Sequence, residues 1–148
     1  MKTILVTGAT GFLGNYICPI LIKNGNKLKI VSRNQSLNNI HKNCEIIYTE
    51  DLFSEPLTWW LNNLKGVDVV LHLAWYLEHK KYWDSLENIK CLEGSIVLAT
   101  AALQKEIKHF IGIGTCAEFE ASIEIKKKIH PLIQRAFMLL PRVQLISC

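Results

Sequence analysis

Three glycines near the start of the chain have the spacing of a phosphate-binding turn. They lie in the run Thr7-Gly8-Ala9-Thr10-Gly11-Phe12-Leu13-Gly14, directly after the apolar segment Thr3–Val6. In such a turn the first glycine permits a tight bend, the second lets backbone approach a pyrophosphate, and the third lets the following helix pack closely on the strand. Backbone amides at the start of that helix then face the phosphates. The alternative is a purely structural strand-to-helix turn that holds no ligand.

A series of predicted strands and helices surrounds this turn. Five apolar segments are consistent with strands buried on both faces: Thr3–Val6 extended by Thr7, Lys27–Val31, Glu45–Tyr48, Val67–Leu73 and His109–Ile113. Helical patterns occur at Tyr16–Lys23, Glu55–Leu64 and within Trp83–Lys105. This order predicts an α/β fold with a Rossmann-type, doubly wound parallel sheet of about five strands. Since the pattern deteriorates after Glu120, we predict a truncated sheet with an irregular C-terminal tail.

The predicted helices have three features that a structure can check. Ser54 is placed to cap Glu55–Leu64, with Pro56 in the first turn. Pro19 lies inside the first helix, where it should kink the helix or force local repacking. The long third helix is identified from its apolar positions, which are Leu86, Ile89, Leu92, Ile96, Val97 and Ala101.

The composition is that of an ordinary globular protein. The 148 residues are 49% hydrophobic and 20% charged, which argues against disorder. Although the net charge is +4, the basic residues are scattered apart from two short runs, so we predict no nucleic-acid partner. Glycines and Pro19 interrupt the uncharged stretch Ile4–Ile22, so we predict no membrane span. The five cysteines lack metal-ligand spacing, which predicts reduced thiols in the cytoplasm and no metal site.

Further motifs follow the glycine turn in a fixed order. Asp51-Leu52 comes after the third predicted strand, and Asp68-Val69-Val70-Leu71-His72-Leu73-Ala74 forms the fourth. The segment 110–119 joins the fifth strand to a Gly-Thr-Cys-Ala-Glu-Phe loop. Together with T-G-x-x-G-x-x-G, these motifs resemble the extended short-chain dehydrogenase/reductases of the NAD-dependent epimerase/dehydratase type, which remodel nucleotide sugars. The resemblance covers roughly residues 1–120 and implies that they form an NAD(P)-binding Rossmann domain.

The resemblance implies a set of cofactor-binding residues. Those expected to bind the dinucleotide are Thr7, Gly8, Thr10, Gly11, Phe12, Leu13, Gly14, Asp51, Leu52, Leu73 and Ala74. The family places an acidic residue near the adenine at the position of Asp51, and its fourth strand runs beneath the cofactor. Two interpretations from the residues alone compete with this assignment. Asp51 can cap a helix or start a turn, and His72, on an apolar strand, is interpreted as a structural core histidine.

The end of the second predicted strand bears on the choice between NAD and NADP. An acidic residue there binds the ribose hydroxyls of NAD, whereas an Arg suits the 2′-phosphate of NADP. Ser32 stands at the family's usual acidic position and is followed by Arg33 and Asn34, so no carboxylate is available. We therefore expect NAD or NADP, with NADP slightly favoured and Arg33 paired with the 2′-phosphate. The alternative is that Arg33 is a solvated residue at a strand end.

The catalytic residues of the family are only partly present. Its general acid/base is a Tyr whose pKa is lowered by a Lys four residues later, and a Ser or Thr orients the substrate. Thr115 matches the Ser/Thr position, with a turn or capping role as the alternative. The tyrosines all precede Thr115: Tyr16, Tyr48, Tyr76 and Tyr82. The catalytic Tyr and Lys expected after Thr115 are therefore absent from the 148 residues.

The tail suggests a reason for this absence. A shifted reading frame across Phe137 to Arg142 permits Tyr-Ala-x-x-Lys, at a separation from Thr115 that is compatible with the family. We therefore expect that a frameshift between about Ile133 and Arg135 truncated an ordinary enzyme, and that residues 121–148 form an irregular or frameshifted tail. Chance, a natural deletion and a divergent tail are the alternatives.

The resemblance implies an NAD(P)-binding protein of the nucleotide-sugar epimerase, dehydratase or reductase type, and the absent Tyr and Lys indicate a truncated and catalytically impaired form. Its ancestral substrate would be a nucleoside-diphosphate sugar, and an intact family member would form a homodimer. Trp75-Tyr76 either stack on a sugar or nicotinamide ring or cover the core edge. Cys91 replaces the Asn of the family's N-x-x-G-T motif, and Asn88 is a candidate substitute. The competing interpretation is a non-catalytic dinucleotide-binding module or partner subunit.

Overall fold

Strands and helices succeed one another largely as the sequence predicts. A computed structural model of the chain describes residues 1–34, 44–78, 81, 85–114 and 143–147. The strands are β1 Thr3–Thr7, β2 Lys27–Ser32, β3 Cys44–Tyr48, β4 Val69–His72, β5 His109–Gly114 and β6 Val143–Ser147. The α-helices are α1 Phe12–Lys23, α2 Leu57–Asn63 and α3 Glu87–Gln104, and a 3-10 helix spans Leu52–Ser54.

The strands form one parallel sheet in the order β3-β2-β1-β4-β5-β6. This confirms the α/β fold with a Rossmann-type, doubly wound sheet. The direction in which the chain adds strands reverses between β1 and β4. In such sheets a crevice opens at the carboxyl ends of the strands beside the reversal, which is where ligands bind.

Both faces of the sheet are covered. Alternate residues of β1 point to opposite faces, with Ile4 and Val6 in the core cluster that includes Cys18 of α1. Leu5 belongs to the second cluster, which contains Trp60 of α2 and the buried residues of α3. Burial on both faces explains why the central strands β1 and β4 are continuous apolar runs without alternation.

A sixth strand, inside the tail predicted to be irregular, extends the predicted sheet of about five strands. β6 pairs in parallel with β5, in a register that runs from Phe110 opposite Val143 to Gly114 opposite Ser147. A five-residue strand inside the longer apolar stretch 131–148 shows no period by which it could be recognised. Its assignment depends on pairing with a distant strand, which local sequence does not encode.

Two helices begin at residues other than those predicted. α1 starts at Phe12, with Gly11 as its N-cap, so the glycine run overlaps the first helical turn. The prediction that Ser54 caps α2 was wrong, because α2 starts at Leu57 and Ser54 belongs to the 3-10 helix. The reason is local: a residue that precedes proline is biased towards extended backbone, and Glu55 before Pro56 adopts φ −71° and ψ 133°. α1 includes Pro19.

α3 is present as predicted, but it packs through a different face. Four of its expected apolar positions are exposed: Leu86, Ile89, Leu92 and Ile96. The buried face consists mainly of small residues, namely Cys91, Gly94, Ser95, Leu98, Ala99, Ala101 and Ala102. A Cβ on Gly94 would lie 2.5 Å from the Cα of Phe53, so the helix approaches the chain after β3 at backbone contact distance. In the described part of the chain, no helix is long and apolar enough to cross a membrane.

Candidate functional site

A cavity of about 870 Å³ opens at the carboxyl ends of the strands, where the order of the sheet reverses. It is lined by the loops that follow β1, β2, β3 and β4 and by the first turn of α3. Among the lining residues are many that the sequence singled out: Gly8, Thr10, Gly11, Arg33, Asp51, Leu52, Leu73 and Ala74. The fold thus brings together residues that are widely separated along the chain.

Four other predicted residues belong to the turn without lining this cavity. Thr7 and Gly14 are buried, Phe12 is exposed and Leu13 is half-buried. Phe12 and Leu13 are the first residues of α1 and contribute its N-terminal backbone amides. The predicted catalytic residue Thr115 lies outside the described residues.

The glycine turn is pressed against its neighbours so closely that side chains cannot be accommodated. Gly8 has φ +72°, and a Cβ there would lie 2.7 Å from the backbone nitrogen of Ala74. A Cβ on Gly14 would lie 2.5 Å from the carbonyl carbon of Ala9. The amide of Gly11 closes the turn by donating to the carbonyl of Gly8 at 3.0 Å. The result is a bare backbone cradle at the edge of the cavity, with the shape that a pyrophosphate requires.

The start of α1 completes this cradle electrostatically. Its N-cap Gly11 provides no side-chain hydrogen bond, and no acidic residue occupies the first turn. The first amides of a helix have no intrahelical acceptor, and together they carry a positive partial charge. An anion at this end of the cavity therefore finds amides that no capping side chain of α1 occupies. The residues present fit the diphosphate of a dinucleotide.

The carboxylate of Asp51, which also lines the cavity, is fixed by three donors. One oxygen, Oδ1, accepts from the amide of Phe53 at 3.1 Å, and Oδ2 accepts from the hydroxyl of Ser54 at 2.9 Å. Lys90 of α3 forms an ion pair with Oδ2. Burial acts to raise the pKa of Asp51, but the hydrogen bonds from Lys90, Ser54 and Phe53 outweigh it, so the pKa lies below its usual value. Asp51 is therefore an anionic acceptor that also caps the 3-10 helix.

A directed chain of hydrogen bonds joins the end of β1 to β4 and α3. The hydroxyl of Ser95 donates to the carbonyl of Cys91 at 2.6 Å, so it accepts from Nε2 of His72 at 2.8 Å. The Nδ1 atom of this neutral tautomer then accepts from the hydroxyl of Thr7 at 2.7 Å. The same hydroxyl oxygen accepts from the amide of Ala74 at 3.3 Å. Thr7 thus holds the backbone that borders Gly8.

His72 is a buried neutral residue. Burial lowers the pKa of His72 to about 4. The hydrogen-bond chain agrees with this direction, because a charged imidazole would donate from both nitrogens and would displace the Thr7 proton. Rings of Phe53 and Phe110 lie beside it, each with a centroid separation of 6.1 Å. The structure thus places His72 in the core behind the cavity.

The end of β2 has the residues on which the NADP prediction rests. Arg33 is exposed and lines the cavity. The hydroxyl of Ser32 accepts from the amide of Asn34 at 3.0 Å, which fixes the chain where the family usually has its acidic residue. A guanidinium is therefore available beside the cavity at this strand end.

Two aromatic residues that follow β4 form one wall of the cavity. Trp75 is 43% exposed and lines the cavity, and its indole nitrogen donates to Oδ1 of Asn88 at 2.9 Å. Tyr76 also lines the cavity, and its hydroxyl donates to Glu78 at 2.7 Å. Asn88, proposed as a substitute for the family Asn, thus contacts the indole.

Tyr76 has the spacing but not the electrostatics of the family's catalytic Tyr. Lys80 stands four residues later, outside the described residues, and both precede Thr115. The hydrogen bond to Glu78 is the main cause that raises the pKa of Tyr76. A general acid/base of this family needs its pKa lowered instead, so the described surroundings of Tyr76 do not make it a replacement.

Sequence reasoning missed Lys90 and Ser95. Lys90 lies 39 positions after Asp51, and Ser95 lies 23 positions after His72. A hydrophobic period of 3.6 or 2 residues indicates which face of a helix or strand a residue lies on. It does not indicate which residues of other elements form hydrogen bonds or ion pairs with it. The only local signal was the N-x-x-G-T-like run 91–95, whose last position is Ser95.

A family model and a curated protein match this chain in sequence. The model of the NAD dependent epimerase/dehydratase family matches residues 4–135. Among curated proteins, the decarboxylating sterol-4-alpha-carboxylate 3-dehydrogenase of Dictyostelium discoideum is 33% identical over 85 residues. That alignment covers 53% of this chain and 24% of the dehydrogenase.

Two solved structures are similar to this chain in fold. The UDP-N-acetylglucosamine 4-epimerase of Bacillus cereus is 25% identical, with a TM-score of 0.65, over 82% of this chain and 38% of the epimerase. The Bordetella bronchiseptica enzyme WbmH, solved with NAD+, is 14% identical, with a TM-score of 0.76, over 99% of this chain and 55% of WbmH. The second likeness is one of fold alone. The chain thus spans about a quarter to about half of the length of these relatives.

Proposed function

The chain belongs to the NAD dependent epimerase/dehydratase family, and we propose that its cavity binds a nicotinamide adenine dinucleotide. The observation that carries this proposal is the backbone cradle. At Gly8 a side chain would meet the Ala74 backbone, and the neighbouring start of α1 has no side-chain cap. Thr10 and Gly11 face the diphosphate in this proposal, Leu73 and Ala74 lie along the dinucleotide, and Asp51 and Leu52 lie at the adenine. These assignments are residue-level proposals.

We propose a nucleoside-diphosphate sugar as the second ligand. Structural relatives support this class: one is a UDP-N-acetylglucosamine 4-epimerase, and another was solved with UDP-glucuronic acid and NAD. In such chemistry a bound nicotinamide accepts or donates hydride at a sugar carbon. Trp75 offers an aromatic ring beside the cavity against which a sugar or nicotinamide ring can stack. Thr115 as the residue that orients the sugar, the homodimer and the cytoplasmic location stay predictions.

We expect the 148-residue chain to bind cofactor without measurable turnover of UDP-sugars. No Tyr follows Thr115 in it, and Tyr76 is hydrogen-bonded to a carboxylate that raises its pKa. Loss of a proton-transfer group typically lowers the rate by ~10²–10⁴. Titration followed by the fluorescence of NADH measures binding, and product formation from UDP-glucose and UDP-N-acetylglucosamine measures turnover.

Each outcome of this experiment has a distinct meaning. Binding without turnover supports an impaired member of the family and equally fits the second candidate, a non-catalytic dinucleotide-binding module or partner subunit. Restored turnover after addition of a second protein would favour the partner subunit. Turnover by the chain alone would refute the impairment, and a folded chain that binds neither NAD nor NADP would refute the proposed function. Gly8→Val is the control that should abolish binding, because its side chain would meet the backbone of Leu73 and Ala74 and displace the turn.

We propose that Arg33 gives the cavity a preference for NADP over NAD. The residue is exposed at the end of β2, lines the cavity, and follows Ser32 where a carboxylate would select NAD. Charge-assisted contact with a 2′-phosphate typically gives about tenfold in affinity. In competitive titration, Arg33→Met should lower NADP affinity about tenfold and leave NAD affinity nearly unchanged. Lys23→Met, which removes another cation away from the cavity, is the control; tighter binding of NAD than of NADP by the unmodified chain would overturn the proposal.

A further inference from the structure

The carboxylate of Asp51 has one hydrogen-bonding position left open. An ionised carboxylate offers about four lone-pair positions, two on each oxygen. Oδ2 accepts from Ser54 and from Lys90, which uses both of its positions. Oδ1 accepts only from the amide of Phe53 among its described partners. Because Asp51 lines the cavity, the open position on Oδ1 is suited to a donor on a bound ligand.

Among the described residues, Lys90 makes the one contact that this carboxylate has beyond its own loop. It comes from α3, which packs against the 3-10 helix that Asp51 caps, and it lines the cavity itself. The backbone of Asp51 is held separately, because its amide donates to the hydroxyl of Thr49 at 3.2 Å. Because the backbone is fixed, the hydrogen bonds and the ion pair made by Oδ2 limit rotation of the side chain. Lys90 and Ser54 both bind Oδ2, so the open position on Oδ1 remains for the ligand.

We propose that Lys90 is a positioning residue that sets Asp51 to recognise the 6-amino group of an adenine. The proposal rests on the proposed function, since it assigns a determinant of base specificity to the same cavity. Adenine presents a donor at C6, whereas hypoxanthine presents a carbonyl oxygen, which can only accept. An anionic acceptor held towards C6 therefore favours adenine and disfavours the 6-oxo base.

Lys90 also balances charge at this end of the cavity. Asp51, Glu50 and Glu87 all line the cavity, so the ammonium of Lys90 offsets part of a concentrated negative charge. Side chains of Lys90 and Asp51 are 45% and 35% exposed, and ion pairs this exposed contribute little to folding. Substitution of Lys90 should therefore leave a folded protein whose cofactor recognition can be measured.

The test compares NAD with nicotinamide hypoxanthine dinucleotide, which differs from NAD only in its base. We expect the unmodified chain to prefer NAD by about tenfold, as a charged hydrogen bond typically provides. Lys90→Met should weaken the binding of NAD and so bring the ratio of the two dissociation constants close to one. Lys90→Arg should restore most of the preference for NAD. Lys29→Met is the matched control, because Lys29 forms an ion pair with Glu45 away from the cavity.

The ratio separates the proposal from simpler explanations. If Lys90 has only a general electrostatic effect, Lys90→Met will weaken the binding of both dinucleotides equally and leave the ratio of their dissociation constants unchanged. That result would overturn the proposal. Loss of the ratio in Lys29→Met would also overturn it, because it would show that any broken ion pair suffices. If the folded, unmodified chain binds neither dinucleotide, the proposed function itself fails. If it binds both equally, the function stands and only the role of Lys90 is rejected.

Discussion

Gly14→Ala is expected to lower the melting temperature of the chain by roughly 10 °C. A Cβ on Gly14 would lie 2.5 Å from the carbonyl carbon and the Cα of Ala9. Both atoms are backbone and Ala9 is buried, so neither a rotamer change nor solvent can relieve the clash. Forced shifts of this kind typically cost about 3 kcal/mol, and 1 kcal/mol corresponds to about 2–4 °C in a chain of this size. Thermal unfolding followed by circular dichroism measures the effect.

Gly11→Ala is the matched control within the same turn. Gly11 has φ −76°, and a Cβ placed there would have the carbonyl oxygen of Gly8 as its nearest atom, at 3.3 Å. The substitution should therefore change the melting temperature by no more than about 2 °C, since it adds little strain. Because Gly11 lines the cavity, the added methyl group should nevertheless weaken NAD binding. The two variants thus separate the packing glycine from the ligand-facing glycine.

The two glycines test different statements about the turn. If Gly14→Ala melts at the temperature of the unmodified chain, α1 does not need its close approach to the turn, and the packing role of Gly14 is rejected. If Gly11→Ala binds NAD as tightly as the unmodified chain, the dinucleotide does not approach the turn as proposed. A structural turn without a ligand would show the first effect and no binding in any variant.

The framework of the fold could be predicted because its signals are local. β1 to β5 are apolar runs, and the glycine turn lies at a junction where strand and helix nearly touch. The rules for right-handed crossovers leave few possible orders for strands joined in this way, and the doubly wound order is one of them. The cavity could be placed for the same reason, since it lies where the strand order reverses.

The parts that could not be predicted depend on contacts between distant elements. The packed face of α3 is made largely of Ala, Gly, Ser and Cys, and at Gly94 the backbone of Phe53 leaves no room for a side chain. Hydropathy alone favoured the exposed Ile89 and Ile96 instead. β6 depends on pairing with β5. Likewise, the sequence left Asp51 either as a helix cap or as a residue that binds the cofactor. In the structure Asp51 caps the 3-10 helix and also pairs with Lys90 of α3 at the cavity.

His72 is expected to make the chain less stable as the pH falls from 6.5 towards 4. Burial lowers its pKa from 6.5 to about 4 in the folded state. Above pH 6.5 neither state holds the proton, and the contribution of His72 to stability is fully present. Between the two values the unfolded chain takes up a proton that the folded chain excludes, so stability is lost; below pH 4 both are protonated and the loss stops. The total is about 3 kcal/mol, measurable by urea unfolding at a series of pH values.

His72→Asn isolates this contribution from that of the carboxylates. An Asn oxygen can still accept from the hydroxyl of Thr7, and Ser95 keeps its bond to the carbonyl of Cys91, so the variant should fold with a loss of about 2 kcal/mol at pH 7. Its stability should then change much less than that of the unmodified chain between pH 6.5 and 4. His109→Gln removes an exposed histidine of the same sheet and should keep the full pH dependence. Equal pH dependence in His72→Asn and in the unmodified chain would mean that the folded chain takes up the His72 proton as readily as the unfolded chain, and the lowered pKa of His72 would be rejected.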